Sequence, residues 1–330
     1  MTDRQVLITG GAGYIGSHTV LACRDAGYPV VVLDNLSKGQ RRLVPEDVPF
    51  FQGDVGDPKL LAEIISRHDI AAVIHFAADV VVPESVAAPL SYYLNNTCKT
   101  RSLLQACVDH GVAQIVFSST AAVYGQPEAT TVGEDAPTRP ANPYGTSKLM
   151  SEWMLRDASV AHGLRHVILR YFNVAGADPQ GRTGQATPDA THLIKVACEA
   201  ACGKRGAIEI YGDDYDTADG TCVRDFIHVS DLARAHVSAL EHLGKGGDSL
   251  TLNCGYGRGY SVREVLEGLE RLTGKPLPAR QAARRAGDVA ALVADASRLR
   301  EVLGWVPQHD DLDFILKTAL QWELATAAAR

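Results

Sequence analysis

Residues 142–148 read NPYGTSK and set a tyrosine and a lysine four positions apart, Tyr144 and Lys148. On a helix that spacing puts both side chains on one face. An ammonium beside a phenol favours the phenolate and lowers its pKa from about 10. A phenolate reachable near neutral pH is a general base. Pro143 suits the first turn of such a helix, and residues 149–161 continue with helix formers. A second polar cluster lies in FSSTAAVY (117–124), where Ser118, Ser119 and Thr120 offer hydroxyls that could hold a substrate oxygen near Tyr144. At least one of the three is expected to cap a turn instead.

The chain opens with another chemically suggestive stretch, TGGAGYIG (9–16). Gly10, Gly13 and Gly16 give GxxGxxG, and Gly11, Gly13 and Gly16 give GxGxxG. Between a strand and a helix, such glycines permit a tight turn and bring backbone N–H groups and a helix N-terminus to a pyrophosphate. Asp34 follows 18 positions past Gly16, at the end of a second apolar run. A carboxylate there accepts bonds from the adenosine ribose hydroxyls and repels a 2′-phosphate, which favours NAD over NADP. A bound nicotinamide cation would also favour the phenolate of Tyr144.

These residues need a scaffold. Val6–Thr9, Val30–Leu33, Ala71–Phe76, Gln114–Ser118 and Val167–Tyr171 are short apolar runs without period-two alternation, separated by helix-like pieces such as His18–Ala26. Continuous apolar strands between helices predict a parallel sheet buried on both faces, a doubly wound α/β (Rossmann) domain. The hydroxyl cluster then falls at the carboxyl end of the fourth strand, where ligands bind in such sheets. After residue 175 glycine, proline and polar residues dominate 176–188. The reading is a cofactor domain over 1–175 and a smaller α/β substrate domain over 176–330. Arg224–Leu243 again reads as a strand turning into a helix, so the chain is expected to recross there. Residues 325–330 are expected to fray.

Composition bounds the partners. The 330 residues are 46% hydrophobic and 22% charged, with a net charge of −7. That balance argues against nucleic acid and against an anionic membrane surface. No apolar run reaches membrane length, and the N-terminal apolar stretch is too short for a signal peptide. Seven scattered cysteines without a CxxC motif suggest a reducing cytoplasm. Cys198 and Cys202, four apart, read as small core residues. His162 and His166 are poor metal ligands because Gly163 breaks the helix between them, so no metal site is expected.

At this point the chain resembles the extended short-chain dehydrogenase/reductase family, in its UDP-glucose 4-epimerase branch. The resemblance runs over nearly the whole length. It is carried by TGGAGYIGSH (9–18), DNLSKG (34–39), GDV (53–55), HFAA (75–78), PESV (83–86), YYLNNT (92–97), SSTAAVYG (118–125), NPYGTSK, RYFNVAGAD (170–178), GTCVRDFIHVSDLA (220–233) and RRAGD (284–288). The resemblance implies NAD-dependent interconversion of UDP-glucose and UDP-galactose through transient oxidation at sugar carbon 4. It gives Tyr144 the role of base, Lys148 that of tuning Tyr144 and holding the nicotinamide ribose, and Thr120 a bond to the sugar oxygen. It implies cofactor contacts at Gly10, Gly13, Tyr14, Ile15, Gly16, Asp34, Asn35, Asp54, Val55, Phe76, Ala77, Ala78, Asn95, Tyr144, Lys148 and Phe172. Substrate contacts fall on Thr120, Asn173, His192, Tyr211, Arg224, Arg285, Asp288 and Leu292. It also implies a homodimer packed through the helices of Tyr92–Cys107 and Tyr144–Ala161.

Three positions depart from the family pattern. Val80 stands where some relatives have a cofactor-binding lysine, and His192 where some have a substrate-binding asparagine. Leu292 stands where a tyrosine in some relatives is thought to govern entry of an N-acetyl group. Other chemistries on this scaffold fit less well. A 4,6-dehydratase needs a carboxylate after Thr120, where this chain has Ala121 and Ala122. An NADPH-dependent 4-keto reductase conflicts with Asp34. Another UDP-sugar 4-epimerase or a UDP-sugar decarboxylase remains open. A non-catalytic NAD-sensing scaffold would be expected to lack Tyr144 or Lys148.

Overall fold

The computed structural model describes residues 5–187, 190–285 and 287–328. The first half lays down β1 (Gln5–Thr9), β2 (Val30–Asp34), β3 (Phe50–Gln52), β4 (Ile70–His75), β5 (Gln114–Thr120), β6 (Thr131–Val132) and β7 (Arg165–Tyr171). Its helices are α1 (Tyr14–Asp25), α2 (Pro58–Arg67), α3 (Val82–Ala87), α4 (Pro89–Tyr92), α5 (Lys99–Asp109) and α6 (Pro143–His162). A π-helical turn, Tyr93–Cys98, joins α4 to α5. The second half adds the strands β8 (Asn173–Ala175), β9 (Ile208–Tyr211), β10 (Val223–His228), β11 (Leu250–Cys254), β12 (Gly259–Ser261), β13 (Ala279–Ala282) and β14 (Ala291–Ala294). Its helices are α7 (Leu193–Ala201), α8 (Val229–Gly244), α9 (Val262–Thr273), α10 (Ser297–Leu303) and α11 (Leu312–Ala328).

Seven parallel strands form the main sheet in the order β11-β7-β5-β4-β1-β2-β3. Both faces are covered. Val6, Ile8 and Val32 pack with Val20 and Cys23 of α1 and Leu232 and Leu240 of α8. Leu7, Val31, Ile115 and Phe117 pack with Leu61 of α2, Leu103 of α5 and Leu155 of α6. Two-sided burial is why β1, β2 and β4 carry apolar runs without period-two alternation, and each buried aliphatic side chain contributes roughly 2 kcal/mol.

The structure adds to the sequence reading in several places. Helix α1 starts at Tyr14, four residues ahead of the expected His18, because the glycine turn feeds directly into it. β3 and β11 belong to the main sheet, although neither reads as an apolar run. β11, LTLNC, has a buried asparagine whose side chain donates to the carbonyl of Val132. Helix α8 packs against α1, β5 and β7, and β11 pairs with β7, so residues 229–254 return to the main sheet. A second sheet has the order β12-β10-β14-β6, with β8 alongside β10, and β9 pairs with β13. Cys198 is buried, as expected, whereas Cys202 is only half-buried. At the C-terminus, where fraying was expected, α11 is helical through Ala328, and Ala329 and Arg330 lie outside the described residues. Trp322 and Glu323 dock that helix, through the carbonyl of Gln185 and the ammonium of Lys204. Within the polar stretch, Pro188 and Asp189 also lie outside the described residues, as does Ala286 of RRAGD.

Buried histidines give this fold a pH dependence. Burial lowers His18, His166 and His236 to about 4, His75 to about 3 and His228 to about 2. Their folded pKa values lie below the unfolded value, so the unfolded chain binds more protons as pH falls through about 6.5. The stability they confer is complete above that pH and is lost below it, at roughly 1 kcal/mol per group per pH unit. The urea midpoint is expected to be flat from pH 7 to 8 and to fall steeply from pH 6 to 5. An unchanged midpoint at pH 5 would contradict this.

Candidate functional site

The glycine turn is built for close approach. Gly10 has φ +72°, and a Cβ there would stand 2.6 Å from the backbone nitrogen of Ala77. A Cβ on Gly16 would stand 2.2 Å from the carbonyl oxygen of Gly10. Neither position accepts a side chain. Gly13 begins α1 without a side-chain cap, and no acidic residue lies in the first turn. The N–H groups of Tyr14, Ile15 and Gly16 therefore start a helix with nothing of their own chain's side chains to cap them. This arrangement suits an anionic ligand.

Asp34 sits at the carboxyl end of β2. Its Oδ2 accepts from Ala12 N at 2.9 Å and its Oδ1 from Leu36 N at 2.8 Å. Burial raises its pKa, offset in part by those two N–H groups. Two donors thus aim the carboxylate over the glycine turn, which fits the ribose of a dinucleotide.

Of the other cofactor candidates, Phe76 and Ala77 come up against Gly10 of this turn. Tyr14 donates to the carbonyl of Gly176 at 2.7 Å, and Ile15 packs on the core. Asp54 accepts from Lys99 Nζ and Gly56 N, at 2.5 and 2.7 Å, and is hydrogen-bonded to Asn35. Burial works to raise Asp54, but these partners outweigh it and hold the carboxyl below its ordinary value. Val55 is buried beside it. Phe76, Ala77 and Ala78 are half-buried just past β4, and Asn95 on the π-turn bonds the side chain of Asp79. Phe172 is buried with Ala121 and Leu149. Val80, at the departure from lysine, is exposed.

Tyr144, Lys148 and Thr120 come together at the carboxyl end of β5. Asn142 caps α6 by accepting from Gly145 N at 2.9 Å, with Pro143 in the first turn. This seats Tyr144 in the first turn of the helix. Thr120 is the capping hydroxyl of its cluster, accepting from Ala122 N at 3.1 Å, and it is also hydrogen-bonded to Tyr144. Lys148 Nζ donates to the carbonyl of Ser118 at 3.0 Å and lies 5.0 Å from the centroid of the Phe117 ring. Burial lowers Lys148 to about 8, with Glu152 opposing the fall. Burial raises Tyr144 to about 12, with the Thr120 bond opposing the rise. In the protein alone, burial therefore outweighs the lowering expected from the sequence.

The substrate candidates fall into three groups, two of them along β10 and one at β9. Asn173 is the register partner of Phe226, and with His192 it lines one cavity. His192 Nδ1 accepts from Gln185 Nε2 at 3.1 Å, and burial lowers its pKa. Arg224 is the register partner of Leu292, and its Nη2 lies 3.8 Å from Asp288. The guanidinium of Arg285 stacks 4.1 Å from the Tyr211 ring, and the Tyr211 hydroxyl donates to Glu209. Leu292 packs against the cluster containing Ala121 and Phe172. Residues that the sequence reading passed over also contribute. Lys99 pairs with Asp54, and His236 contacts Ser118 from across the sheet. Their partners are 45 and 118 residues away in sequence, so no local spacing signals them.

Among the described residues no cluster of His, Cys, Asp and Glu could hold a metal ion. None of their helices is long and apolar enough to cross a membrane.

Comparison with known proteins adds to this geometry. The model of the NAD dependent epimerase/dehydratase family matches residues 6–255. A UDP-glucose 4-epimerase of Azospirillum brasilense is 61% identical over 328 residues, covering 98% of this chain and 94% of the relative. The crystal structure of the Brucella ovis UDP-glucose 4-epimerase in complex with NAD is 48% identical with a TM-score of 0.94, over 96% of this chain and 98% of that one. The Bifidobacterium longum enzyme in complex with NAD+ and UDP is 39% identical with a TM-score of 0.93, over 99% of this chain and all of that one. The glycine turn, the Asp34 carboxylate and the Tyr144–Lys148 helix thus lie within a match spanning most of the molecule, and the chain belongs to the NAD dependent epimerase/dehydratase family.

Proposed function

We propose that this protein interconverts UDP-glucose and UDP-galactose by transient oxidation at sugar carbon 4, with NAD as resident cofactor. The observation that carries the reading is the convergence of Tyr144, Thr120 and Lys148 at the carboxyl end of β5, in a chain 61% identical to a UDP-glucose 4-epimerase. When bound, NAD supplies an acceptor that takes a hydride from carbon 4 and gives it back, and its cationic ring adds positive charge beside Tyr144. Tyr144 takes the proton of the 4-hydroxyl and returns it. Thr120 holds the sugar oxygen at Tyr144. Lys148 and the added positive charge favour the phenolate against the burial that raises it. The ketone turns over in the site before reduction on its other face, so neither proton nor hydride is consumed.

The residues toward β10 suit the rest of the substrate. Arg224 and Arg285 would pair with the diphosphate, Asp288 would accept a ribose hydroxyl, and Asn173 and His192 would flank the nucleotide. The acidic chain thereby holds an anionic ligand by local charge alone. We read residues 1–175, with the return at 229–254, as the cofactor half, and most of 176–330 as the sugar-nucleotide half. The unpaired cysteines suit a reducing cytoplasm. Incubation with UDP-galactose is expected to give UDP-glucose by NMR, and acid is expected to release NAD from the protein. No turnover and no NAD would overturn the reading. Turnover of N-acetylated or pentose UDP-sugars alone would move it to another 4-epimerase.

We also propose a homodimer. Exposed apolar side chains are frequent on the elements from α4 to α6, where Leu90 is 80% and Val160 92% exposed, with Leu94 and Trp153 also largely exposed. Large apolar side chains left in water on neighbouring helices suit an interface. Sedimentation is expected to give twice the chain mass, and the Leu90→Glu, Trp153→Glu double variant is expected to give the single-chain mass. A wild type of single-chain mass would contradict it.

A further inference from the structure

We propose that His236 is a positioning residue for the Tyr144–Lys148 pair, acting through Ser118. This rests on the epimerase reading. His236 lies on α8, on the far side of the main sheet from α6, and is fully buried. Its Nδ1 is 2.9 Å from the carbonyl oxygen of Leu232, one helical turn back. A carbonyl only accepts, so Nδ1 carries the proton. Burial keeps the ring neutral, and Nε2 is therefore a bare lone pair. Ser118 Oγ lies 2.9 Å from that nitrogen and must donate to it. Every proton in this chain has one direction: Ser118 to His236, and His236 to a backbone carbonyl.

That direction matters because Ser118 stands two residues before Thr120 at the carboxyl end of β5. The same Ser118 accepts Lys148 Nζ through its carbonyl, at 3.0 Å. Its hydroxyl thus reaches α8 and its carbonyl reaches α6, and one residue ties Lys148, one helical turn from Tyr144, to His236. The His236 ring also lies 4.7 Å from the ring of Phe76, to which the family resemblance gives a cofactor contact. A histidine that merely filled this space would be replaced by phenylalanine without kinetic cost, which sets the test.

His236→Phe keeps the ring against Phe76 and removes both nitrogens. It is expected to lower kcat for UDP-galactose about 10- to 100-fold, with little change in KM. Ser118→Ala should match it, and the double variant should be no worse than the poorer single, as for groups acting in one chain. His236→Gln, which keeps a donor and an acceptor, should recover part of the loss. If His236→Phe does not fold, Ser118→Ala and His236→Gln carry the test. An unchanged kcat with only a lower melting temperature, or losses that multiply, would overturn the proposal. NMR of 15N-histidine-labelled protein separates this from failure of the epimerase reading, because it needs no turnover. His236 is expected to be neutral and Nδ1-protonated, with an Nε2 shift that changes in Ser118→Ala. Protonation at Nε2 would overturn the chain, and a wild type without turnover would overturn the epimerase assignment on which the positioning role depends.

Discussion

Replacing Tyr144 with phenylalanine is expected to lower kcat by about 1,000-fold. The ring is buried and packed at the start of α6, and phenylalanine preserves that packing, so folding and bound NAD should be retained. What is lost is the oxygen that bonds Thr120 and takes the substrate proton. The loss should fall on kcat with little change in KM, because the missing interaction strengthens as the proton moves. Steady-state kinetics with acid-released NAD as the control checks this. Retention of activity within about tenfold of wild type would remove Tyr144 from the role of base.

Replacing Glu152 with alanine is expected to cost about 3–5 kcal/mol of stability. Arg170 meets Glu152 through two bonds, Nη2 to Oε2 at 2.6 Å and Nε to Oε1 at 3.0 Å, and both residues are buried. Ser119 adds a third bond to Oε1 at 2.6 Å. The variant leaves a guanidinium inside the protein with only the Tyr124 hydroxyl and the Glu134 carbonyl as partners. A large drop in the urea midpoint at unchanged slope is expected, and a loss below about 1 kcal/mol would contradict it. The milder Glu152→Gln reports on the site. Glu152 favours the charged form of Lys148, whose pKa of about 8 is set mainly by burial. Without it the ammonium is lost at lower pH, so the alkaline limb of kcat should move toward neutrality.

The parts of the site legible in the sequence are those made within one element or one turn. The strand–glycine–helix run at residues 6–25, Asp34 at the end of an all-apolar strand, and the tyrosine and lysine one helical turn apart all carry their meaning in local spacing. β11 was missed because its residues alternate with Asn253, a polar side chain that is buried and satisfied from another strand. The return of α8 was expected only in outline, since its apolar face does not say which layer it covers. Arg170 with Glu152, Lys99 with Asp54 and His236 with Ser118 are long-range pairs whose members look ordinary in isolation. Electrostatics was the least legible. The sequence shows the ammonium beside Tyr144 but not the burial that outweighs it.

The central claim is a hydride taken from carbon 4 and returned to it within one closed site. It is tested most directly with UDP-galactose carrying deuterium at carbon 4, incubated in ordinary water and read by NMR and mass spectrometry. The expected product is UDP-glucose with the deuterium still at carbon 4. Replacement of that deuterium by hydrogen from water would contradict the account, because the inversion would then proceed by exchange with solvent.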